Sequence, residues 1–215
     1  MSNLNSKFSL LRKPFKYSYF GVAFFLLGCN LLFFLLTSVK PQLQYQLGLI
    51  PSSVVYLHSF WQFVTYMFIH GSFQHLLFNM LTLLLVGVAL EKAIGSKEFL
   101  LFYLVDGILS GVISFLIYLA TGQMYVVLIG ASGALYGVLF LFSVVYPNTR
   151  FFVFGLIPVP APLLILIYAG IEIFSEFSGR SGSVAHLTHL AGFLVAWLYC
   201  RIRFNISPIR VWKNR

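Results

Sequence analysis

Apolar residues in this chain form long runs that are separated by short polar segments. The first run, residues 17–39, carries no charge and is long enough for a helix that crosses a bilayer core, which takes about 20 residues. Further runs predict spans at about residues 73–91, 98–120, 131–147, 151–171 and 182–202. The pattern therefore predicts an all-α, polytopic membrane protein with a bundle of six transmembrane helices.

The segment between the first two runs, residues 40–72, is long and has no charged residue after Lys40. Pro41, Gly48 and Pro51 interrupt it, and such residues break helices. We therefore expect a long interfacial first loop with short helical pieces. Its aromatic residues suit the headgroup zone of a membrane: Tyr45, Tyr56, Phe60 and Trp61.

The runs divide the chain into one membrane domain, residues 17–203, and two short basic tails, residues 1–16 and 204–215. Six crossings place both tails on one side of the membrane, and of the 14 Lys and Arg residues only Lys40 and Arg180 fall on the other side. Because positive charge is retained in the cytoplasm, we expect cytoplasmic termini, in a cell membrane such as the bacterial inner membrane. No small-x-small cleavage site follows the first run, so we do not expect a signal peptide.

The amino-acid composition excludes several other classes of protein. The chain has 60% hydrophobic and 9% charged residues, whereas soluble domains have about 25% charged residues. This excludes a soluble domain, and it also excludes intrinsic disorder, which needs low hydrophobicity and high charge. The net charge of +9 does not indicate nucleic-acid binding, because the cations lie at the chain ends and in short loops. Cys29 and Cys200 lie inside apolar runs and predict no disulfide framework.

A few polar residues lie within or beside the predicted spans, where polarity costs free energy and therefore suggests function. They are His70, His75, Asn79, Asp106, Ser132, His186 and His189.

Ser132 is the candidate nucleophile. Gly130 and Gly133 flank it, which leaves its hydroxyl accessible and lets another backbone approach. It opens the fourth predicted span, where free amide donors and the positive end of the helix dipole favour an oxyanion.

His189 is the candidate general base, because a serine hydroxyl needs one and imidazole titrates near neutral pH. Gly192 and Ala196 share its helical stripe, while Gly133 and Gly137 form a second small-residue face. Two such faces can pack closely in a bilayer, which would bring His189 to the serine. The alternative is that these small residues only pack helices.

His75 and Asn79 are four residues apart and project from one helical face. Both side chains can donate hydrogen bonds, so they are candidates for an oxyanion hole together with the Ser132 amide. The alternative is a structural pair that tethers the long loop, a role that suits His70 better.

No carboxylate stands beside a histidine in an H-E-x-x-H pattern, so we expect no catalytic metal and no other cofactor. None of the five acidic residues is close in sequence to His189, and Asp106 alone is well inside a predicted span. Asp106 either orients a histidine or is structural. The sequence thus predicts a Ser132–His189 dyad whose usual third member is absent or is replaced by packing.

Four segments, in this order, resemble the rhomboid intramembrane serine proteases, and the resemblance covers residues 61–199. They are TYMFIHGSFQHLLFNM at 65–80, the G-x-x-x-E-x-x-x-G pattern at 87–95, GASGALYG at 130–137 and AHLTHLAGF at 185–193.

The resemblance implies a nucleophile at Ser132 and a base at His189, since the family's base is followed by glycine three residues later. It also implies that Tyr136 packs against the base and that His75 and Asn79 stabilise the oxyanion. Glu91 matches a structural acid of the family.

Two departures from the family's pattern stand out. Ala196 replaces a frequent glycine, and Gln62 follows Trp61 where the family commonly has arginine. The second change puts in doubt a salt bridge that anchors the loop.

The resemblance further implies hydrolysis of peptide bonds in or near transmembrane segments of membrane-protein substrates, on the external side. Residues 174–183 then resemble a mobile cap over the site. The expected partners are such segments and the lipid bilayer, with no nucleic acid and no metal. Two alternatives are an inactive rhomboid-like protein, which predicts loss of Ser132 or His189, and a small transporter, which predicts charges along several spans.

Overall fold

The computed structural model describes residues 12–13, 15–153, 155–177 and 183–214. Its α-helices are α1 (Val22–Val39), α2 (Leu43–Leu47), α3 (Pro51–Leu57), α4 (Gln62–Thr65), α5 (Phe73–Thr82), α6 (Val88–Ile94), α7 (Ser96–Ala120), α8 (Ser132–Val145), α9 (Ala161–Phe177), α10 (Ser183–Ile202) and α11 (Pro208–Lys213). A π-helical turn at Leu83–Gly87 joins α5 to α6, so that Phe73–Ile94 is one continuous helix.

The predicted fold class is confirmed: the described residues form a mostly helical membrane bundle with a small β-hairpin. Within the described residues, α1, the continuous helix Phe73–Ile94 and α7 are each long and apolar enough to span a membrane. Helices α8 and α9 are apolar but shorter. Large apolar side chains such as Leu85, Leu116 and Leu166 are more than half exposed, which suits contact with lipid.

Helix α8 lies at the centre of the bundle, in contact with α7, α9, α10 and the Phe73–Ile94 helix. Leu135, Val138 and Leu141 on α8 are almost fully buried. At the far end of α10, Arg203 makes two hydrogen bonds to Glu98 of α7, at 2.8 and 2.7 Å. Because α8 is surrounded by these helices, its first turn, which begins at Ser132, lies close to side chains of its neighbours.

The segment before α9 differs from the prediction of a span at 151–171. Residues Arg150–Val153 (β1) and Ile157–Pro160 (β2) form an antiparallel hairpin, in which Arg150 lies opposite Pro160. Proline cannot occupy a helix interior, so the Pro158 and Pro160 region delays the helix to Ala161. The same helix then continues to Phe177, six residues beyond the predicted end. Of the expected loop 174–183, residues 174–177 are helical and 178–182 lie outside the described residues.

The long first loop contains the short helices α2, α3 and α4. Gln62 is buried within it and accepts a hydrogen bond from the Ile50 amide at 3.0 Å. Its side-chain amide donates to the carbonyls of Tyr45 and Gln46 at 3.4 and 3.2 Å. A neutral glutamine thus ties together two parts of the loop without a salt bridge.

Glu91 anchors a different part of the fold. Its carboxylate accepts hydrogen bonds from the Val22 and Ala23 amides, at 2.7 and 2.9 Å, and from the Ser96 hydroxyl. These two amides begin α1 and have no partner within that helix. A fully buried carboxylate therefore caps α1 and fixes it to the start of α7.

Candidate active site

Ser132 begins α8 directly after a tight backbone turn. Gly130 has φ +119°, a conformation that side chains disfavour, and its amide donates to the Tyr66 carbonyl at 2.9 Å. A Cβ atom at Gly130 would lie 2.6 Å from the His75 ring. Glycine at this position therefore lets the His75 ring lie against the turn that carries the serine.

The hydroxyl of Ser132 lies 2.8 Å from Nε2 of His189, on α10. Close helix packing makes this contact possible, since a Cβ atom at Gly192 would lie 2.2 Å from the Gly133 carbonyl oxygen. Any larger residue at that point would push α8 and α10 apart. Ala196 is also fully buried, so the expected small-residue stripe of α10 faces the protein.

The ring of Tyr136 stacks on the ring of His189, with centroids 4.0 Å apart and planes 9° apart. This stacking fixes the plane of the imidazole. Tyr136 lies one turn after Ser132, so a single helix carries both the hydroxyl and the aromatic ring.

Glu172 is the site residue that the sequence analysis missed. It is 5% exposed, and its Oε1 lies 2.9 Å from Nδ1 of His189. The same carboxylate accepts hydrogen bonds from the Tyr136 hydroxyl and from Nδ1 of His186. Because His189 donates its Nδ1 proton to the carboxylate, its Nε2 lone pair is left to face the serine hydroxyl.

A signal for Glu172 was present in the sequence. The residue lies in the apolar stretch ILIYAGIEIF, and the predicted span ended one position before it. Had the apolar run been extended by one helical turn, Glu172 would have counted as an intramembrane acid and thus as a functional candidate.

His75 and Asn79 lie in the first two turns of α5 and line the same cleft as Ser132 and His189. Asn79 is mostly buried, and its side-chain amide donates to the His75 carbonyl at 2.8 Å. An Asn side chain has two N–H groups, so one donor remains beyond that bond.

His70 lies just before this helix and is fully buried, with its ring centroid 5.0 Å from that of His75. Burial, and secondly the neighbouring His75, lower the pKa of His70 to about 4. His70 is therefore neutral at pH 7, which suits a packing role beside the loop.

Asp106 does not orient a histidine in this structure. It is fully buried on α7, and neither carboxylate oxygen has a hydrogen-bond partner among the described residues. A Cβ atom at Gly137 would lie 2.2 Å from the Asp106 carboxyl. Asp106 therefore packs against the α8 backbone, and the carboxylate at the histidine is Glu172.

The cleft has a volume of about 820 Å³ and lies mainly between α5, α8 and α9. Besides the polar residues it is lined by apolar side chains such as Phe78, Leu164 and Tyr168. The arrangement can activate a hydroxyl and hold an apolar chain beside it. Glu172, His186 and His189 also place three possible metal-ligand atoms within 4.8 Å of one another.

Comparison with known proteins finds matches to one protein family. A family model described as Rhomboid domain matches residues 57–206. The chain is 31% identical over 141 residues to Putative rhomboid protease YdcA of Bacillus subtilis, which covers 64% of this chain and 66% of that protein. It is 30% identical over 170 residues to Rhomboid protease GluP of the same organism, which covers 77% of this chain and 32% of that protein.

A relative from yeast, Rhomboid protein 1, mitochondrial, of Saccharomyces cerevisiae, is 33% identical over 135 residues. That match covers 61% of this chain and 38% of the yeast protein. The matches thus span between 32% and 66% of these three relatives' own lengths.

Proposed function

Since the chain belongs to the rhomboid family, we propose that it is an intramembrane serine endopeptidase with Ser132 as nucleophile and His189 as general base. The single observation that carries the proposal is the 2.8 Å contact between the Ser132 hydroxyl and Nε2 of His189. This distance is within the range in which a base can accept the proton of an attacking hydroxyl.

In the first step, the Ser132 oxygen attacks the scissile carbonyl while its proton passes to His189. The imidazolium that forms is stabilised by Glu172, which lies 2.9 Å from the other ring nitrogen. His189 then gives the proton to the leaving amine, and a water molecule hydrolyses the acyl-enzyme. The proposed machinery is therefore a Ser–His–Glu triad, in place of the dyad expected from sequence.

The oxyanion of the tetrahedral intermediate needs hydrogen-bond donors that are already in position. We assign this role to the Ser132 amide at the start of α8, the His75 ring and the Asn79 side chain. Both side chains line the cleft that holds Ser132.

The apolar cleft suits transmembrane segments of membrane-protein substrates. Phe78 of α5 and Leu164 of α9 lie on its walls, and both helices have exposed apolar residues on their outer faces. A substrate must present its backbone in extended form at Ser132, so residues that weaken a helix near the cleaved bond are expected to favour cleavage.

We further propose that residues 17–203 form the membrane domain, with the basic tails in the cytoplasm and the site towards the external side. The distribution of Lys and Arg supports this orientation. Fusions of reporters to the C-terminus, one active only in the cytoplasm and one only outside it, test the orientation. Activity of the external reporter would contradict it.

The enzymatic proposal is tested with purified protein in liposomes, a membrane-protein substrate and a fluorophosphonate probe. Wild type is expected to cleave and to be labelled. Ser132→Ala is expected to lose labelling and about 10⁴-fold or more of the cleavage rate, because the nucleophile is absent. Ser38→Ala, at an exposed serine of α1, is the matched control and should behave as wild type. Normal cleavage by Ser132→Ala would overturn the assignment, and an unlabelled, inactive wild type would favour a rhomboid-like protein that only binds clients.

A further inference from the structure

The group of side chains around Glu172 has a property that proteolysis does not require. Nδ1 of His189 and Nδ1 of His186 both lie against the same carboxylate, and the three ligand atoms are within 4.8 Å of one another. His189 needs one orienting acceptor, but His186 has no part in the proposed mechanism. Its presence makes the group a two-histidine, one-carboxylate set.

Such a set matches the donors that zinc prefers. Zn²⁺ binds imidazole nitrogen at about 2.0–2.1 Å and carboxylate oxygen at about 2.0–2.2 Å, usually with four ligands in a tetrahedron. His186 and His189 lie three residues apart on α10, one helical turn, and Glu172 comes from α9. A small rearrangement of the three side chains, in which the carboxylate moves back from the two rings, would therefore bring all of them to one ion, with a water molecule as the fourth ligand.

Two further observations favour an ion at this position. The Tyr136 hydroxyl donates to Glu172 from outside the set, as groups around metal ligands commonly do. The His186 side chain is 24% exposed, compared with 14% for His189 and 6% for Glu172, so an ion can enter from the His186 side.

We propose that Glu172, His186 and His189 form an inhibitory site for Zn²⁺. The inhibition, though not the binding, rests on the proposed protease function. In the metal-free enzyme, Nδ1 of His189 carries the proton and Nε2 accepts from Ser132. When Zn²⁺ occupies Nδ1, the single proton of the neutral ring moves to Nε2. The ring then has no free lone pair for the serine proton, and Glu172 is taken from its orienting position.

The first experiment titrates buffered free Zn²⁺ into the cleavage assay with the full-length protein, and normalises each variant to its own zinc-free rate. Wild type is expected to be inhibited, and a chelator should reverse the inhibition. His186→Asn should raise the zinc concentration for half-inhibition by about 10- to 100-fold or more, because one ligand is lost.

The matched control is His58→Asn, at an exposed histidine with φ 55°, where asparagine is well tolerated. It should keep the wild-type zinc response. Wild-type activity that is insensitive to zinc, or an unchanged half-inhibition concentration in His186→Asn, would overturn the proposal.

The second experiment measures binding without catalysis. Co²⁺, a spectroscopic substitute for Zn²⁺, is added to Ser132→Ala protein, and the visible absorption bands of bound cobalt are recorded. Adding His186→Asn or Glu172→Gln to that background should abolish the bands, whereas adding His58→Asn should leave them. Bands that persist in both of these double variants would overturn the site. If no variant shows proteolysis but the bands depend on His186, the metal site stands and the protease proposal fails.

Discussion

Glu91 and Glu172 are both buried, and each accepts three hydrogen bonds from the described residues. Glu91 binds two backbone amides of α1 and one serine hydroxyl. Among the described residues, the hydrogen-bond partners of Glu172 are the side chains of two histidines and a tyrosine. One of these histidines, His189, lines the cleft together with Ser132.

The difference shows how one residue type serves two purposes. Backbone amides keep their protons, so the bonds around Glu91 are permanent and their value is structural. Imidazoles gain and lose protons, so the bonds around Glu172 can change during the proton transfer that we propose. The comparison predicts that changes at Glu172 affect rate, while changes at Glu91 affect stability.

The largest expected effect is at Glu172. Glu172→Gln keeps the shape but removes the charge that stabilises the imidazolium, so kcat should fall by about 10²–10⁴-fold. The free energy of unfolding should change little, as measured by denaturant titration in detergent. Glu91→Gln is the matched control and should keep its kcat. A Glu172→Gln protein that is less stable than wild type but keeps its kcat would show that Glu172 has a structural role and not a catalytic one.

The second-largest effect on kcat is expected at Asn79, which lines the cleft from α5. Asn79→Ala removes one proposed oxyanion donor, and kcat should fall by about 10²–10³-fold with KM nearly unchanged. Steady-state kinetics on one substrate separate the two parameters. Leu77→Ala, at an exposed residue of the same helix that does not line the cleft, should leave both parameters as in wild type. A rise in KM alone would instead assign Asn79 to substrate binding.

At the structural carboxylate, Glu91→Ala leaves the Val22 and Ala23 amides buried without an acceptor. Each unsatisfied group costs about 1–3 kcal/mol, so the free energy of unfolding should fall by about 2–6 kcal/mol. The kcat of the protein that remains folded should match wild type. Equal stability of Glu91→Ala and wild type would contradict the capping role.

The smallest effect is expected at Asp106, a buried acid that is hydrogen-bonded neither to the start of α1, as Glu91 is, nor to the histidines, as Glu172 is. Asp106→Asn removes no hydrogen bond, because neither oxygen has a partner among the described residues. The free energy of unfolding should change by less than about 1 kcal/mol, and kcat should be unaffected. A large loss of activity would give Asp106 a part in the site.

Much of this arrangement can be predicted from sequence because its signals are local. The small residues around Ser132 and after His189 indicate helix faces that approach closely, and the i, i+4 pair His75 and Asn79 must share a face. The apolar runs likewise indicate the helical bundle itself.

The apolar stretch around Glu172 marks it as a candidate intramembrane acid, but no local signal shows that it contacts the histidines. This contact joins α9 to α10, and it depends on where α9 begins and ends. The prolines in the strand before α9 shift that helix along the chain relative to the apolar run, and a hydropathy pattern alone does not register the shift. Asp106 shows the opposite case. The sequence marks it as an acid in the middle of a span, but it does not show that the side chain packs against Gly137.

Because Glu172 is carried by α9, the wall of the cleft and the support of the histidine are parts of the same helix. If α9 swings outward to admit a wide substrate, it carries the carboxylate away from His189. In that open state the proposed protease would lack the carboxylate that orients His189, and it would regain this support only when α9 returns around the substrate.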